Sequence, residues 1–321
     1  MNPKDITFDL LLERVGETHL RQRVTLQVEK AARVFGGGRT LFHIENAEKL
    51  SLLIYYTLKL TGLFNWGHRN FLDIQILENE IDVLDLPAAF DGYRIVHLSD
   101  LHLDIDPTIT PVIVDRLMEI DYDLAIVTGD YRAGTGGNYN IAMRETAKVI
   151  KALKEPRYGI LGNHDFIEFV PYLEEAGLPI LLNETIILER DGENVYLSGV
   201  DDPHFYETDN LQKTREPIPN DSASILLAHS PELYRAAAAS GYDLMFSGHT
   251  HSGQICLPGR LILMGNARCP YKMLYGNWTH KTMQGYTSAG TGSSGVPVRF
   301  FCPPEIVVHT LRTTKQAKEK L

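Results

Sequence analysis

The chain has 321 residues, of which 44% are hydrophobic and 22% are charged, a composition typical of a folded globular protein. Its formal net charge of −10 argues against a protein that holds DNA or RNA by bulk electrostatic attraction. Three scattered cysteines are too few for a disulfide framework or a cysteine-rich zinc site. We therefore expect reduced thiols in a cytoplasmic protein.

Two N-terminal segments show apolar residues at helical spacing. The first covers residues 6–35 and is stopped by three consecutive glycines; the second covers residues 46–63 and is closed by Gly67. Within the second, the apolar run from Leu50 to Phe64 is interrupted by Lys59 and is shorter than the roughly 20 residues that a membrane-spanning helix needs. A buried core helix is the favoured interpretation, and peripheral contact of an amphipathic face with the inner membrane stays open.

The next segment, residues 72–86, alternates apolar and polar side chains on both sides of Glu78-Asn79-Glu80, which predicts a β-hairpin. From Tyr93 onward, short apolar strands alternate with helical segments up to about residue 311. This interleaving predicts an α/β fold in which a sheet is layered by helices. Because ligands in such folds collect beyond the carboxyl ends of the strands, the residues that follow each strand are the candidates for a functional site.

Five of these strand ends carry metal-binding or proton-transfer residue types. The residues are Asp100 and His102; Asp130; Asn163, His164 and Asp165; His229; and His249 and His251. Carboxylate, amide and imidazole donors without thiolate suit a hard or borderline divalent cation. A set of this size can hold two ions a few ångströms apart, an arrangement suited to attack on phosphorus.

The spacing suggests how the donors divide. Asp100 and His102 can reach one ion from a single turn, and the two oxygens of Asp130 make it the natural bridge between two ions. A neutral amide oxygen from Asn163 would limit the negative charge of the site. The donors that would complete two coordination shells are His229, His249 and His251. The set suits manganese, which we expect, and also iron, zinc or nickel.

Other polar residues are open to a structural or a functional interpretation. Arg132 follows the bridge by two residues and could clamp a substrate phosphate, or it could form an ordinary surface salt bridge. His97, His204 and His309 are interpreted as hydrogen-bonded core or surface residues without a role in the site.

The ordered series of motifs resembles that of the calcineurin-like metallophosphoesterase superfamily. Residues 94–103, 247–256 and 286–305 further resemble a bacterial branch that contains cell-wall or membrane-associated phosphodiesterases and UDP-2,3-diacylglucosamine pyrophosphatases. The resemblance implies a two-sheet β-sandwich flanked by helices. The resemblance covers roughly residues 82–311. The change of pattern along the sequence separately predicts an N-terminal helical appendage (1–70), a catalytic domain (71–312) and a charged tail (313–321).

Carried over by position, the resemblance implies two metal sites that share one ligand. The first would consist of Asp100, His102, Asp130 and His251, and the second of Asp130, Asn163, His229 and His249. His164 would face the reacting phosphoryl group, and Asp165 would orient its imidazole.

The implied reaction is hydrolysis of a phosphodiester or pyrophosphate by a hydroxide that bridges two metal ions. A UDP-2,3-diacylglucosamine-type pyrophosphatase is the narrowest form of this prediction, and a general or cyclic-nucleotide phosphodiesterase is the alternative. We expect a small phosphorylated substrate and no nucleic acid. A nuclease is disfavoured by the acidic net charge, and a non-enzymatic scaffold by the complete donor set.

Overall fold

The computed structural model describes residues 3–35, 48–134 and 139–314. Four helices form the N-terminal part of the described chain: α1 (Pro3–Val15), α2 (Glu17–Phe35), α3 (Glu48–Leu60) and α4 (Phe64–Leu72). Among the described residues, no helix combines the length and the apolar character needed to cross a bilayer.

The N-terminal helices are shorter than the sequence predicts. The expected single helix over 6–35 is broken at Gly16, whose φ of 81° lies in the left-handed region that glycine adopts without steric cost. The helix expected over 46–63 stops at Leu60, and Gly67 lies inside α4 instead of closing it. A Cβ at Gly67 would come within 2.6 Å of the Phe300 ring, so glycine there serves close packing. The predicted end at Gly67 was therefore wrong.

One sheet contains five strands in the order β1-β11-β2-β3-β4. The strands are β1 (Gln75–Leu84), β2 (Arg94–Leu98), β3 (Leu124–Val127), β4 (Arg157–Gly159) and β11 (Glu305–Thr314). β2, β3 and β4 are parallel to one another, whereas β11 is antiparallel to β2 and parallel to β1.

The predicted hairpin over residues 72–86 was wrong, because β1 is one continuous strand at the edge of the sheet. The polar run that suggested a turn is accommodated by partners along this edge. Asn79 hydrogen-bonds to His309, Glu78 accepts from Arg94, and Glu80 accepts from Arg312. An edge strand tolerates such polar side chains because part of its surface stays in contact with water.

The second sheet contains six strands in the order β5-β6-β7-β8-β10-β9. The strands are β5 (Glu184–Arg190), β6 (Glu193–Gly199), β7 (Ser224–Leu227), β8 (Leu244–Ser247), β9 (Gly276–His280) and β10 (Met283–Thr287). β6, β7, β8 and β10 run parallel, and β5 and β9 close the two edges as antiparallel strands. The sequence did not predict β9.

The two sheets pack face to face on a buried apolar layer that includes Ile95 and Ile126 from one sheet and Leu197, Ile225 and Phe246 from the other. The remaining helices flank the sheets: α5 (Ile109–Met118), α6 (Asn140–Ala152), α7 (Val170–Glu175), α8 (Leu211–Arg215) and α9 (Tyr234–Ala239). The two-sheet α/β sandwich with an N-terminal helical segment is thereby confirmed. The predicted tail lies outside the described residues from 315 onward, and β11 reaches Thr314.

Helix α2 is attached to the loop that follows β4. Arg23, fully buried, donates to the carbonyl oxygen of Asp165, and the Gln27 carboxamide accepts from Ile167 N at 2.9 Å. The N-terminal helices are therefore joined by hydrogen bonds to the segment that carries Asn163 and His164. Whether residues 1–70 form a separate unit stays a prediction.

We expect the Gln27→Leu substitution to lower the free energy of unfolding by about 1–3 kcal/mol, because it leaves the buried Ile167 N–H without its acceptor. Gln22→Leu, at an exposed position of the same helix, is the matched control and should have little effect. Urea denaturation followed by circular dichroism measures both. Equal stabilities for the two variants would contradict the attachment of α2 at this point.

Candidate metal centre

The candidate donors all lie at the carboxyl ends of parallel strands from both sheets. Asp100 and His102 follow β2, Asp130 follows β3, Asn163 follows β4, His229 follows β7, and His249 and His251 follow β8. All seven side chains are buried. The strand-end rule brings them into one pocket because the two sheets present these ends on the same side of the sandwich.

The first group of donors consists of Asp100, His102 and His251, whose ligand atoms lie within 4.8 Å of one another. His251 Nε2 is 3.4 Å from Asp100 Oδ1 and 3.2 Å from His102 Nε2. The His102 and His251 rings are stacked with centroids 5.1 Å apart. Three nitrogen and oxygen donors at this spacing can hold one cation.

The second group consists of Asp130, His229 and His249, again within 4.8 Å. Asn163 belongs with it, because its Oδ1 lies 2.9 Å from His229 Nε2 and 2.8 Å from His249 Nδ1. The division of donors between the two groups is the one that the sequence resemblance implies.

Asp130 lies between the two groups. Its Oδ2 is 3.2 Å from His229 Nε2 in the second group and 3.5 Å from His102 Nε2 in the first. Its Oδ1 accepts a hydrogen bond from His164 N at 2.9 Å. This position suits a carboxylate that bridges two ions.

Backbone carbonyl groups fix the proton positions on two of the histidines. His102 Nδ1 donates to Arg132 O, and His229 Nδ1 donates to Thr128 O, each at 2.6 Å. Since a carbonyl oxygen only accepts, both rings carry a proton on Nδ1 and direct Nε2 toward the site. Such outer partners are what orient metal-binding imidazoles in proteins.

The His249 ring is oriented the other way, so that it directs Nδ1 and not Nε2 toward the site. Its Nε2 donates to Asn266 O at 2.8 Å, so its Nδ1 lone pair faces the Asn163 amide oxygen. The Nδ1 lone pair of His249 and the Asn163 amide oxygen thus lie 2.8 Å apart, where one cation could bind both. The donor set therefore fits two bound divalent cations.

The backbone at the donors is unusual. The φ angles of five of the seven donors are positive, between 41° and 70°, a region sparsely populated by residues other than glycine. The five are Asp100, His102, Asp130, His249 and His251. Backbone strain of this kind persists where the surrounding structure enforces it, and it clusters at functional sites.

His164 lies at the pocket beside the candidate bridge. Its Nε2 is 4.0 Å from Asp130 Oδ2, and its ring is 5.1 Å from that of His102, edge to face. The expected hydrogen bond that would let Asp165 orient this imidazole is not found among the described residues. Asp165 instead accepts from three backbone amides, those of Asp130, Tyr131 and Gly162. The predicted role of Asp165 is corrected accordingly: it joins the loops after β3 and β4.

Arg132 is 1% exposed, which excludes the surface salt bridge considered from the sequence. Its guanidinium lies over the rings of Phe166 and Phe169, with distances of 5.0 and 5.7 Å to the centroids. Its carbonyl oxygen holds the His102 ring. Contact with a substrate phosphate stays a prediction.

Two residues beside the pocket were missed from the sequence. The fully buried Arg299 donates from Nη1 to His251 O at 3.0 Å and from Nε to Gly292 O at 3.0 Å, which fixes the loop that carries His251. His204 was interpreted from the sequence as a residue without a role in the site. Its ring centroid lies 4.1 Å from that of His249, and its Nδ1 is 3.1 Å from Glu232 Oε1. His204 follows β6, so the strand-end rule could have identified it. Arg299 lies within the 286–305 segment that carries the family resemblance, but the sequence assigned it no contact with the loop of His251.

Burial changes the protonation of the donors. Burial, opposed by the neighbouring His229, raises the pKa of Asp100 to about 6. Burial also lowers the pKa of His102 to about 4, so this ring is neutral at physiological pH. Although burial acts the other way, the charge of Asp130 raises the pKa of His229 well above its usual value. A cation must displace the protons of Asp100 and His229 in order to bind.

We therefore expect metal affinity to fall as the pH is lowered, with an additional proton taken up near pH 6 by Asp100. Below that pH, this proton alone weakens binding about tenfold per pH unit. In Asp100→Asn the His229 contribution persists, so the pH slope should be shallower by about one proton. Competition with a chromophoric chelator between pH 4.5 and 8 measures both slopes. Equal slopes would show that Asp100 is not a ligand.

The match to a family profile agrees with this geometry. The Calcineurin-like phosphoesterase family profile matches residues 93–253, which include all seven donors. The uncharacterized metallophosphoesterases YkoQ and YkuE of Bacillus subtilis are each 29% identical to the chain. The alignments cover 76% and 79% of this chain and 93% and 92% of theirs. Among solved structures, Haemophilus influenzae NAD nucleotidase aligns with 62% of this chain and 45% of its own, at 15% identity and a TM-score of 0.42. The chain belongs to the calcineurin-like phosphoesterase family and is a metal-dependent phosphoester hydrolase.

Proposed function

We propose that the chain hydrolyses a phosphodiester or a pyrophosphate of a small molecule in the pocket formed by the seven donors. The observation that carries this proposal is the position of Asp130 between two donor groups, with His164 on the same pocket. Two cations bound there would lower the pKa of water and neutralise charge on the phosphoryl oxygens.

The chain's own residues supply the remaining requirements. The carbonyl groups of Arg132 and Thr128 hold two imidazoles in the orientation that binding requires. His164, held through its backbone amide by Asp130, presents a ring that can donate a proton to the leaving oxygen or stabilise charge on the phosphoryl group. Asp165 accepts a hydrogen bond from the backbone amide of Asp130 and thereby fixes the loop of His164 against the loop of Asp130.

The two narrower substrate classes require different surfaces next to the seven metal donors. A UDP-linked acylated sugar needs an apolar surface for acyl chains next to the pocket, whereas a cyclic nucleotide does not. Exposed leucine and methionine side chains on residues 257–264, which follow the loop of His249 and His251, favour the acylated class. The acidic net charge disfavours a nuclease.

The proposal is tested with protein reconstituted separately with manganese, iron, zinc and nickel. The substrates are a phosphomonoester, a phosphodiester, a cyclic nucleotide and a UDP-linked diacylated sugar. We expect turnover of the phosphodiester or the pyrophosphate to exceed that of the monoester. Activity on the acylated sugar alone would establish the narrow class. Turnover restricted to the monoester, or none with any metal, would contradict the proposal.

A further inference from the structure

A group of large apolar side chains is exposed on α3, α4 and the segment 255–264, and at Phe301. We name this surface the apolar rim. Its members are Leu52, Leu53, Tyr56, Leu60, Trp66, Leu257, Leu261, Leu263, Met264 and Phe301. Leu60 is 88% exposed and Leu263 is 65% exposed, so these side chains are not packed in the hydrophobic core. The favoured interpretation of α3 as a plain core helix was therefore wrong for one of its faces.

The parts of the apolar rim surround one small apolar cluster. The other face of α3 packs through Ile54, Tyr55 and Leu58 against Val298 and Phe300. Ile255, at the start of the 255–264 segment, packs on the same cluster and forms an isolated bridge with Phe300. The Trp66 ring lies 5.0 Å from that of Phe300 and 5.7 Å from that of Phe301. The exposed residues therefore belong to one region of the molecule.

The sequence stretches that carry the apolar rim are cationic, unlike the chain as a whole. Residues 49–72 and 244–304 contain no aspartate or glutamate but eight lysines and arginines, although the net charge of the chain is −10. Lys59, Arg69, Arg268 and Lys272 are exposed within these stretches. Acids from elsewhere in the chain contact these stretches, among them Asp106 at His68 and Glu232 at the backbone amide of Arg268. Exposed apolar side chains interspersed with exposed cations complement a surface of anionic lipid headgroups.

We propose that the apolar rim docks the protein on the surface of a bilayer that contains anionic lipids. The exposed leucines would enter the headgroup region, and the lysines and arginines would contact lipid phosphates. α3 has 13 residues, so it would lie in the plane of the interface. A second copy of this chain is a less favourable partner for this surface. In a symmetric dimer the same cations would face one another, and these stretches offer no acids to pair with them.

Docking at this surface would bring lipid headgroups close to the metal pocket. His249 Nε2 donates to Asn266 O, directly after the 255–264 segment. Ile262 and the carbonyl oxygen of Met264 lie against Gly253, two residues beyond His251. The proposal concerns attachment of the protein, and so it goes beyond hydrolysis and does not depend on which phosphoester is cleaved.

The test is co-sedimentation of the full chain with vesicles of phosphatidylcholine, with and without phosphatidylglycerol. We expect binding to the anionic vesicles that weakens in high salt, and at least about tenfold weaker binding to neutral vesicles. The double variants Leu53→Glu/Leu60→Glu and Leu263→Glu/Met264→Glu should each reduce binding at least about tenfold. Met118→Glu/Ile187→Glu, which changes exposed apolar residues outside the apolar rim, is the matched control and should bind like the unchanged protein.

Failure of the unchanged protein to bind anionic vesicles, or equal binding by all variants, would overturn the proposal. So would a stable dimer in sedimentation equilibrium that Leu53→Glu/Leu60→Glu dissociates, since the rim would then be covered by a second copy. Turnover of a soluble phosphodiester by Leu53→Glu/Leu60→Glu should equal that of the unchanged protein. This readout separates a failure of docking from a failure of the proposed function.

Discussion

The Asp130→Asn variant should lose most of its bound metal and its turnover should fall at least about 10³-fold. The carboxylate Oδ2 lies between the donor groups, at 3.2 Å from His229 Nε2 and 3.5 Å from His102 Nε2. An amide has nearly the same shape but no negative charge, and its nitrogen is not a metal ligand. The amide oxygen can still accept from His164 N, so the loop should keep its fold.

The metal content of this variant, determined by elemental analysis after dialysis, is compared with that of Asp243→Asn. Asp243 is a partly buried carboxylate that likewise accepts from a backbone amide, that of Ser224, but it lies at the opposite end of β8 from the metal pocket. The control should retain both metal and activity. Full metal occupancy together with full turnover in Asp130→Asn would contradict the bridging role.

The His164→Ala variant should keep its metal and lose about 10²- to 10⁴-fold in turnover, the range typical of a lost general acid. The ring borders the pocket at 4.0 Å from Asp130 Oδ2, whereas the seven donors are complete without it. His280→Ala, which removes a half-buried histidine from β9, is the matched control and should leave turnover unchanged.

The dependence on the leaving group distinguishes the two possible roles of His164. If its ring protonates the leaving oxygen, diesters with alkyl leaving groups should be slowed far more than those with a p-nitrophenolate leaving group. If it stabilises charge on the phosphoryl oxygens, both should be slowed equally. Unchanged turnover of both substrates, with metal retained, would remove His164 from the mechanism.

The site was predictable from the sequence because the signal is local. Each donor lies two to four residues beyond the end of a short strand, and parallel strands present their carboxyl ends on one side of a sheet. That rule brought residues from Asp100 to His251 into one pocket without any knowledge of the sheet order. The same rule applied to β6 adds His204, which follows the acidic pair Asp201-Asp202 beyond the end of that strand.

The incorrect sequence predictions concern features that depend on tertiary contacts. Asp165 bonds to backbone amides of two loops, and no sequence pattern reports which loop lies beside it. The polar residues of β1 were interpreted as a turn because their partners, such as His309 and Arg312, are more than 200 residues away. In the sequence Gly67 looks like a helix stop, because its close contact with the distant Phe300 ring cannot be inferred from local residues. Arg299 shows the same limit, since its acceptors are backbone carbonyls of separate loops.

We expect seven buried side chains from five strand ends to hold two metal ions. Anomalous X-ray diffraction from crystals of the metal-reconstituted protein, with data collected on both sides of the absorption edge, tests this expectation most directly. We expect two anomalous peaks per chain, one beside Asp100, His102 and His251 and the other beside Asn163, His229 and His249, with Asp130 in contact with both. Fully loaded, active protein with no peak in this pocket, or with Asp130 remote from both peaks, would contradict the account.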